Sequence, residues 1–339
     1  EEEEKEKRSR ETWRAELRAN PDRIRNPSGL KAGDFNNDQY LLMRELKDRS
    51  SSLTDRDEYT DWKELRHDFG DEVAHAYRDA AIEHWRHYIP PLRSEGDQGN
   101  SIPSALIFAM AGLEIEADEN LGFPRNLDEA MARNALRYVT WQLNGFPCWF
   151  ERMYQAFPSL VEGAVIKELI WELESTDTDK PMHYILHDLA YHAPWLHGSM
   201  APVILEWIKA NPTRINANKH FCLDILVKGG TSVGALAALA RLQLVQVNDL
   251  DSHAVWYAIR VDCNPELGIP EVENWLSSLN DSEATRAAEI FITSLMGGRH
   301  IEMGGPYVGG FRTVEHLKTL YILMHRYIRS KEDINRANG

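Results

Sequence analysis

Three tryptophans stand at the same place in three related phrases: Ile170-Trp171-Glu172-Leu173-Glu174-Ser175, Glu206-Trp207-Ile208-Lys209-Ala210-Asn211 and Asn274-Trp275-Leu276-Ser277-Ser278-Leu279-Asn280. Each sets an aromatic late in an apolar helical stripe and ends it with a polar stop. The spacings are 36 and 68 residues, and 68 is twice 34. The missing member falls near 241, where Ala240-Arg241-Leu242-Gln243-Leu244 puts Leu242 in the tryptophan position. A period of about 35 residues holds two helices, and one such pair cannot bury its own apolar face without stacking on neighbours. The spacing therefore predicts an all-α chain, an α-solenoid of antiparallel helix pairs of the HEAT or TPR kind. Its alternative is a chance spacing of three tryptophans.

The local patterns agree with a helical chain. Val73, Tyr77, Ala80, Ala81, Trp85 and Tyr88 share one stripe, which predicts a helix over about 71–88, ended by Pro90-Pro91. Ile166, Leu169, Ile170 and Leu173 form a second stripe, and Leu317, Leu320, Tyr321, Met324, Tyr327 and Ile328 a third. Helix starts are expected at Asn126 (with Glu129 completing a capping box), Pro181, Ser232, Ser252 and Ser282. Only Leu242–Val247 and the segment around Ile301 allow an extended reading. Residues 1–19 read as a charged, solvated or partly docked helix. Pro21, Pro27-Ser28-Gly29 and Arg49-Ser50-Ser51-Ser52 break up residues 20–60. The expected organisation is an irregular helical part over 1–100 and a helix-pair repeat domain over 101–339, with the polar run from Ser94 to Ser101 as the candidate linker.

Charge and cysteine usage then exclude several classes. Acidic residues outnumber basic ones by 53 to 38, a formal charge of −15 that opposes nonspecific binding to nucleic acid or anionic lipid. Cys148, Cys222 and Cys263 are far apart and odd in number, which suits neither a disulfide framework nor paired zinc ligands. No apolar run reaches about 18 residues, so no membrane span is expected, and a cytoplasmic setting fits the thiols. The chain opens Glu1-Glu2-Glu3-Glu4 without Met, and is read as a segment of something longer.

Two stretches depart from the helical background. His183, His187, Asp188, His192 and His197 form the densest set of potential ligands. His183 and His187 are one helical turn apart and suit a shared metal with a carboxylate as third ligand, although Tyr184 stands where a zincin has Glu. Packing histidines are the plainer alternative, and His183, His187, Asp188 and His192 stand as metal candidates. The second stretch, Gly297 to Gly310, contains six glycines. It lacks the Gly-Lys-Ser/Thr of a Walker loop, since Gly310 precedes Phe311 and Arg312. A partner contact through Arg299, His300, Tyr307 and Arg312 and a plain connector both fit it. No catalytic residue and no cofactor is assigned.

Four phrases resemble the long HEAT-like helical-repeat regions of large bacterial proteins with NACHT or STAND-type P-loop ATPase modules, some linked to antiphage defence. They are Arg78-Asp79-Ala80-Ala81-Ile82-Glu83-His84-Trp85-Arg86, Leu143-Asn144-Gly145-Phe146-Pro147-Cys148-Trp149-Phe150, the run from Asp179 to Ala190, and the run from Arg329 to Ala337. The resemblance implies a non-enzymatic sensor or scaffold arm that binds a protein partner or other domains of its parent chain. Neither Walker motif is present, so it carries no ATP-binding residue to this sequence. Two enzyme alternatives stay open: a metal-dependent site at His183–His192, and a helical-toroid glycoside hydrolase, suggested by ten Trp and twelve Tyr in an acidic helical chain.

Overall fold

The structure, a computed structural model, describes residues 2–25, 34–49, 59–97, 101–142, 145–175, 184–212, 219–297 and 308–328. Helices hold 79% of the described residues, and no strand occurs among them. No described helix is long and apolar enough to cross a membrane. The chain divides into two compact units, 1–168 and 169–339.

Unit 1 contains α1 (Glu2–Ala19), α2 (Asp22–Arg25), α3 (Asn37–Arg49), α4 (Arg66–Phe69), α5 (Asp71–His87), α6 (Ser104–Glu119), α7 (Glu129–Leu136), α8 (Phe150–Ala156) and the first part of α9 (Pro158–Ser175). The stripe expected over 71–88 forms α5, with Val73, Tyr77, Ala80, Ala81 and Trp85 all buried. Its central partner is α6, which is apolar nearly all round and correspondingly sunk in the core. The two helices meet backbone to backbone. A Cβ built on Gly112 would overlap the Ala81 carbonyl, so only glycine permits the approach. Around this crossing Phe108 sets its ring against Tyr77 and His84. The charged α1 is docked through apolar and polar contacts: Leu17 is buried, Trp13 packs edge-on against Phe69 while its indole N–H donates to Asp38 at 2.9 Å, and Arg10 and Arg14 pair with Glu45 and Asp68.

Unit 2 contains the rest of α9, α10 (Leu186–His192), α11 (His197–Ala210), α12 (Lys219–Lys228), α13 (Val233–Gln246), α14 (Leu250–Cys263), α15 (Pro265–Ser278), α16 (Asp281–Met296) and α17 (Val314–Ile328). Among these, α12 packs on α10 and α11, α13 on α11 and α14, and α16 on α14 and α15, while α17 lies against α15 and α16. Trp171, Trp207, Leu242 and Trp275 each fall three or four residues before a helix end, at Ser175, Ala210, Gln246 and Ser278. The segment that allowed an extended reading, Leu242–Val247, is therefore the last turn of α13 and its cap.

The caps refine the sequence reading. Ser232 caps α13 as expected, accepting from the Ala235 N–H. Elsewhere the capping residue lies nearby. Asp128 rather than Asn126 accepts from the Met131 N–H, Asp249 from Ser252, and Asn280 from Glu283. In each case an Asx oxygen reaches the amide three residues on, the geometry an N-cap requires. Pro181 lies outside the described residues.

Candidate functional site

A buried carboxylate sets up the start of α10. Glu172, fully buried on α9, accepts the backbone N–H groups of Tyr184 at 3.2 Å, Ile185 at 2.8 Å and Leu186 at 2.7 Å. These are amides at a helix start that have no intrahelical acceptor, and the anion both satisfies them and sits at the positive end of the helix. The short helix held there carries the histidine cluster. His187, Asp188 and His192 each offer a ligand atom, and all three atoms lie within 4.8 Å of one another. His187 Nδ1 is 3.1 Å from Asp188 Oδ1. The His187 ring joins an aromatic cluster, meeting Tyr191 on the next turn of α10 and Phe221 on α12 at centroid distances of 5.0 and 5.4 Å, while those two rings meet each other at 5.8 Å. His192 closes the helix and is exposed. His197, the fifth member of the sequence cluster, turns away into the core, where its Nε2 meets the Leu189 carbonyl at 2.8 Å. His183 lies outside the described residues.

The second sequence-predicted site is only partly described. Arg299, His300 and Tyr307 lie outside the described residues. Arg312 is exposed, with its backbone N–H bonded to the Gly309 carbonyl at 3.1 Å. The C-terminal end of the glycine-rich stretch is fastened by Asp262 of α14, whose buried carboxylate accepts from the N–H of Val308 at 2.8 Å and of Gly309 at 2.6 Å. The Asp262 carbonyl takes the Gly310 N–H at 3.1 Å, and a Cβ at Gly310 would collide with it.

Sequence reasoning missed three further features. In unit 1, α5 and α6 flank a charged cleft of about 640 Å³ lined by Arg78, Asp79, Glu83, Arg86, Glu116 and Glu119. Its arginines are committed internally: Arg78 to Asp79 and Glu119, Arg86 to Glu116. On α6, Glu114 and Asp118 converge with Cys148, whose Sγ lies 3.4 Å from Glu114. Partial burial of the sulfur and these two carboxylates push that thiol up to about 11. Burial likewise raises Cys263 to about 12 and lifts Cys222 further. None of the three cysteines is therefore activated as a nucleophile at neutral pH.

The third missed feature is an apolar groove of about 620 Å³ in unit 2, formed by Ala235, Ala238, Leu239, Leu242 and Val245 of α13 with Lys209 of α11 and Arg241. Val245 is 81% exposed there. Lys209 pairs with Glu206, whereas Arg241 has no ion-pair partner among the described residues. The sequence signal was present as a run of small and branched residues through α13, with apolar residues on more than one face. Comparison with family models, with curated proteins and with solved structures finds no match.

Proposed function

We propose that this chain is a helical-repeat scaffold, an α-solenoid of the HEAT or TPR type, whose second unit recognises a protein segment. The observation that carries the reading is the α11–α13 groove, an exposed apolar trough with basic residues beside it on a chain of net charge −15. Its chemistry suits an amphipathic helix that presents an apolar stripe flanked by carboxylates. Contacts between alternate helices support the repeat: α11 touches α13, α15 touches α17, α10 touches α12 and α14 touches α16. The shared late-helix positions of Trp171, Trp207, Leu242 and Trp275 support it further. The setting we propose is a sensor or scaffold arm of a larger bacterial ATPase protein in antiviral defence, a proposal that rests on the resemblance carried by the four phrases that begin at Arg78, Leu143, Asp179 and Arg329.

Deleting residues 208–242 joins Trp207 to Gln243 and removes one period in register. A repeat array should absorb this, keeping cooperative unfolding and its helix content per residue by circular dichroism at reduced stability. Loss of cooperative unfolding would count against the repeat. The groove is tested separately with a fluorescent amphipathic acidic peptide. Binding that weakens on V245E, with the fold unchanged, supports the recognition role, and equal binding by both proteins removes it.

A further inference from the structure

We propose that His187, Asp188 and His192 form a binding site for one divalent transition-metal ion of the zinc class. The geometry carries this independently of the repeat reading. Three donor atoms within 4.8 Å of one another need only a small closing movement to share an ion, because ligand atoms at about 2.0–2.1 Å from zinc lie about 3.3 Å apart. One edge of that polyhedron is already in place. His187 Nδ1 and Asp188 Oδ1 meet in a 3.1 Å hydrogen bond, so the ion would replace the proton between them, and at about 2.0–2.1 Å from both atoms it would subtend about 95–100°. His192, at the exposed end of the helix, supplies the adaptable third ligand.

The ligand chemistry selects the ion. Two imidazoles with one carboxylate suit zinc, cobalt or nickel, whereas magnesium and calcium are held by oxygen ligands. Three protein ligands leave a fourth position for water or a group from a partner. The surroundings fix the pair that meets first. Tyr191 and Phe221 both pack against the His187 ring, and Glu172 pins the amides of residues 184–186 just ahead of it. Support of this kind orients a ligand before the ion arrives. The placement of His192 in the last turn adds to it, since the carbonyl end of a helix favours a cation.

The test uses the untagged full chain, stripped with chelator and titrated with Zn²⁺ against a chromophoric competitor. Binding of about one Zn²⁺ per chain is expected, with micromolar or tighter affinity. H192A should weaken it about tenfold or more, as should D188N. H192A changes an exposed residue and leaves the fold intact, which circular dichroism verifies. Co²⁺ in place of Zn²⁺ should give the visible absorption of a tetrahedral ion in the wild type and lose it in H192A. C148S separates this site from Glu114, Asp118 and Cys148 and should bind as the wild type does. The proposal is overturned if the wild type holds no ion at micromolar Zn²⁺, if H192A and D188N bind as tightly as the wild type, or if C148S alone abolishes binding.

Discussion

In unit 1 the buried carboxylates mostly face side-chain donors, whereas in unit 2 they face the backbone. Glu116 takes the Trp85 indole N–H at 2.9 Å and the Arg86 guanidinium, and Glu45 takes Arg10 and Arg49. Glu172 and Asp262 instead gather main-chain N–H groups, three from 184–186 and two from 308–309. The two uses answer to different physics. An arginine whose partner is lost can swing into water, and Arg86 is already 40% exposed. A main-chain amide is fixed by the chain on both sides and keeps its desolvation cost when the acceptor goes. The acidic chain thus uses some carboxylates as pins for connecting segments, and one pin holds the candidate metal site.

Substitutions at these anchors test the contrast. E172A should have the largest effect, about 3–5 kcal/mol, because three buried amides lose their acceptor together. Hydrogen exchange should then accelerate at Ile185 and Leu186 while the amides of α5 keep their protection. Equal acceleration in both units would break the distinction. E116Q should cost less, about 1–2 kcal/mol by chemical denaturation, because the amide oxygen still accepts and Arg86 can hydrate. A cost equal to that of E172A would show that side-chain partners matter as much as backbone ones.

Titration in unit 1 produces smaller effects. Burial holds the His84 imidazole below its ordinary 6.5, while its Nε2 donates to the Ala105 carbonyl at 3.0 Å. Folding is therefore helped by this residue fully above pH 6.5, and the help is lost as pH falls below it, where the unfolded chain takes up the proton first. Urea midpoints measured against pH should show that slope, and H84Q should flatten it. The smallest effect belongs to Glu95. Hydrogen bonds from Arg137 and Lys167 hold its carboxyl at about 2, below the ordinary 4.5. Its contribution is complete above pH 4.5 and lost as pH falls toward 2. Because the pair is solvent-exposed, E95Q should cost less than about 1 kcal/mol and less still in high salt.

The helices were legible because burial imprints a period on sequence. The stripe over 71–88 became Asp71–His87, and the tryptophan phrases ended helices as their polar stops implied. Caps were legible to within two or three residues, since Asn, Asp and Ser are interchangeable in composition but only one of them reaches the right amide. Glu172 and Asp262 were not legible. Each lies within a helix, and its role depends on a segment that tertiary folding brings to it. The histidine cluster was visible as a cluster, yet only the structure separates His187 and His192, which converge, from His197, which packs inward. The α13 groove was hidden for the opposite reason: apolar residues on several faces read as core.

The contact of Gly112 with the Ala81 carbonyl has a consequence for which lengths of chain this fold tolerates. Adding one residue to α6 ahead of the glycine would rotate the rest of the helix by about 100° and carry Gly112 off the crossing. Ala111 would then bring a Cβ to a place that has no room for one. The pair therefore admits a single register, and an insertion inside either helix cannot be absorbed by slippage. Length can change without disturbing this register only outside the two helices.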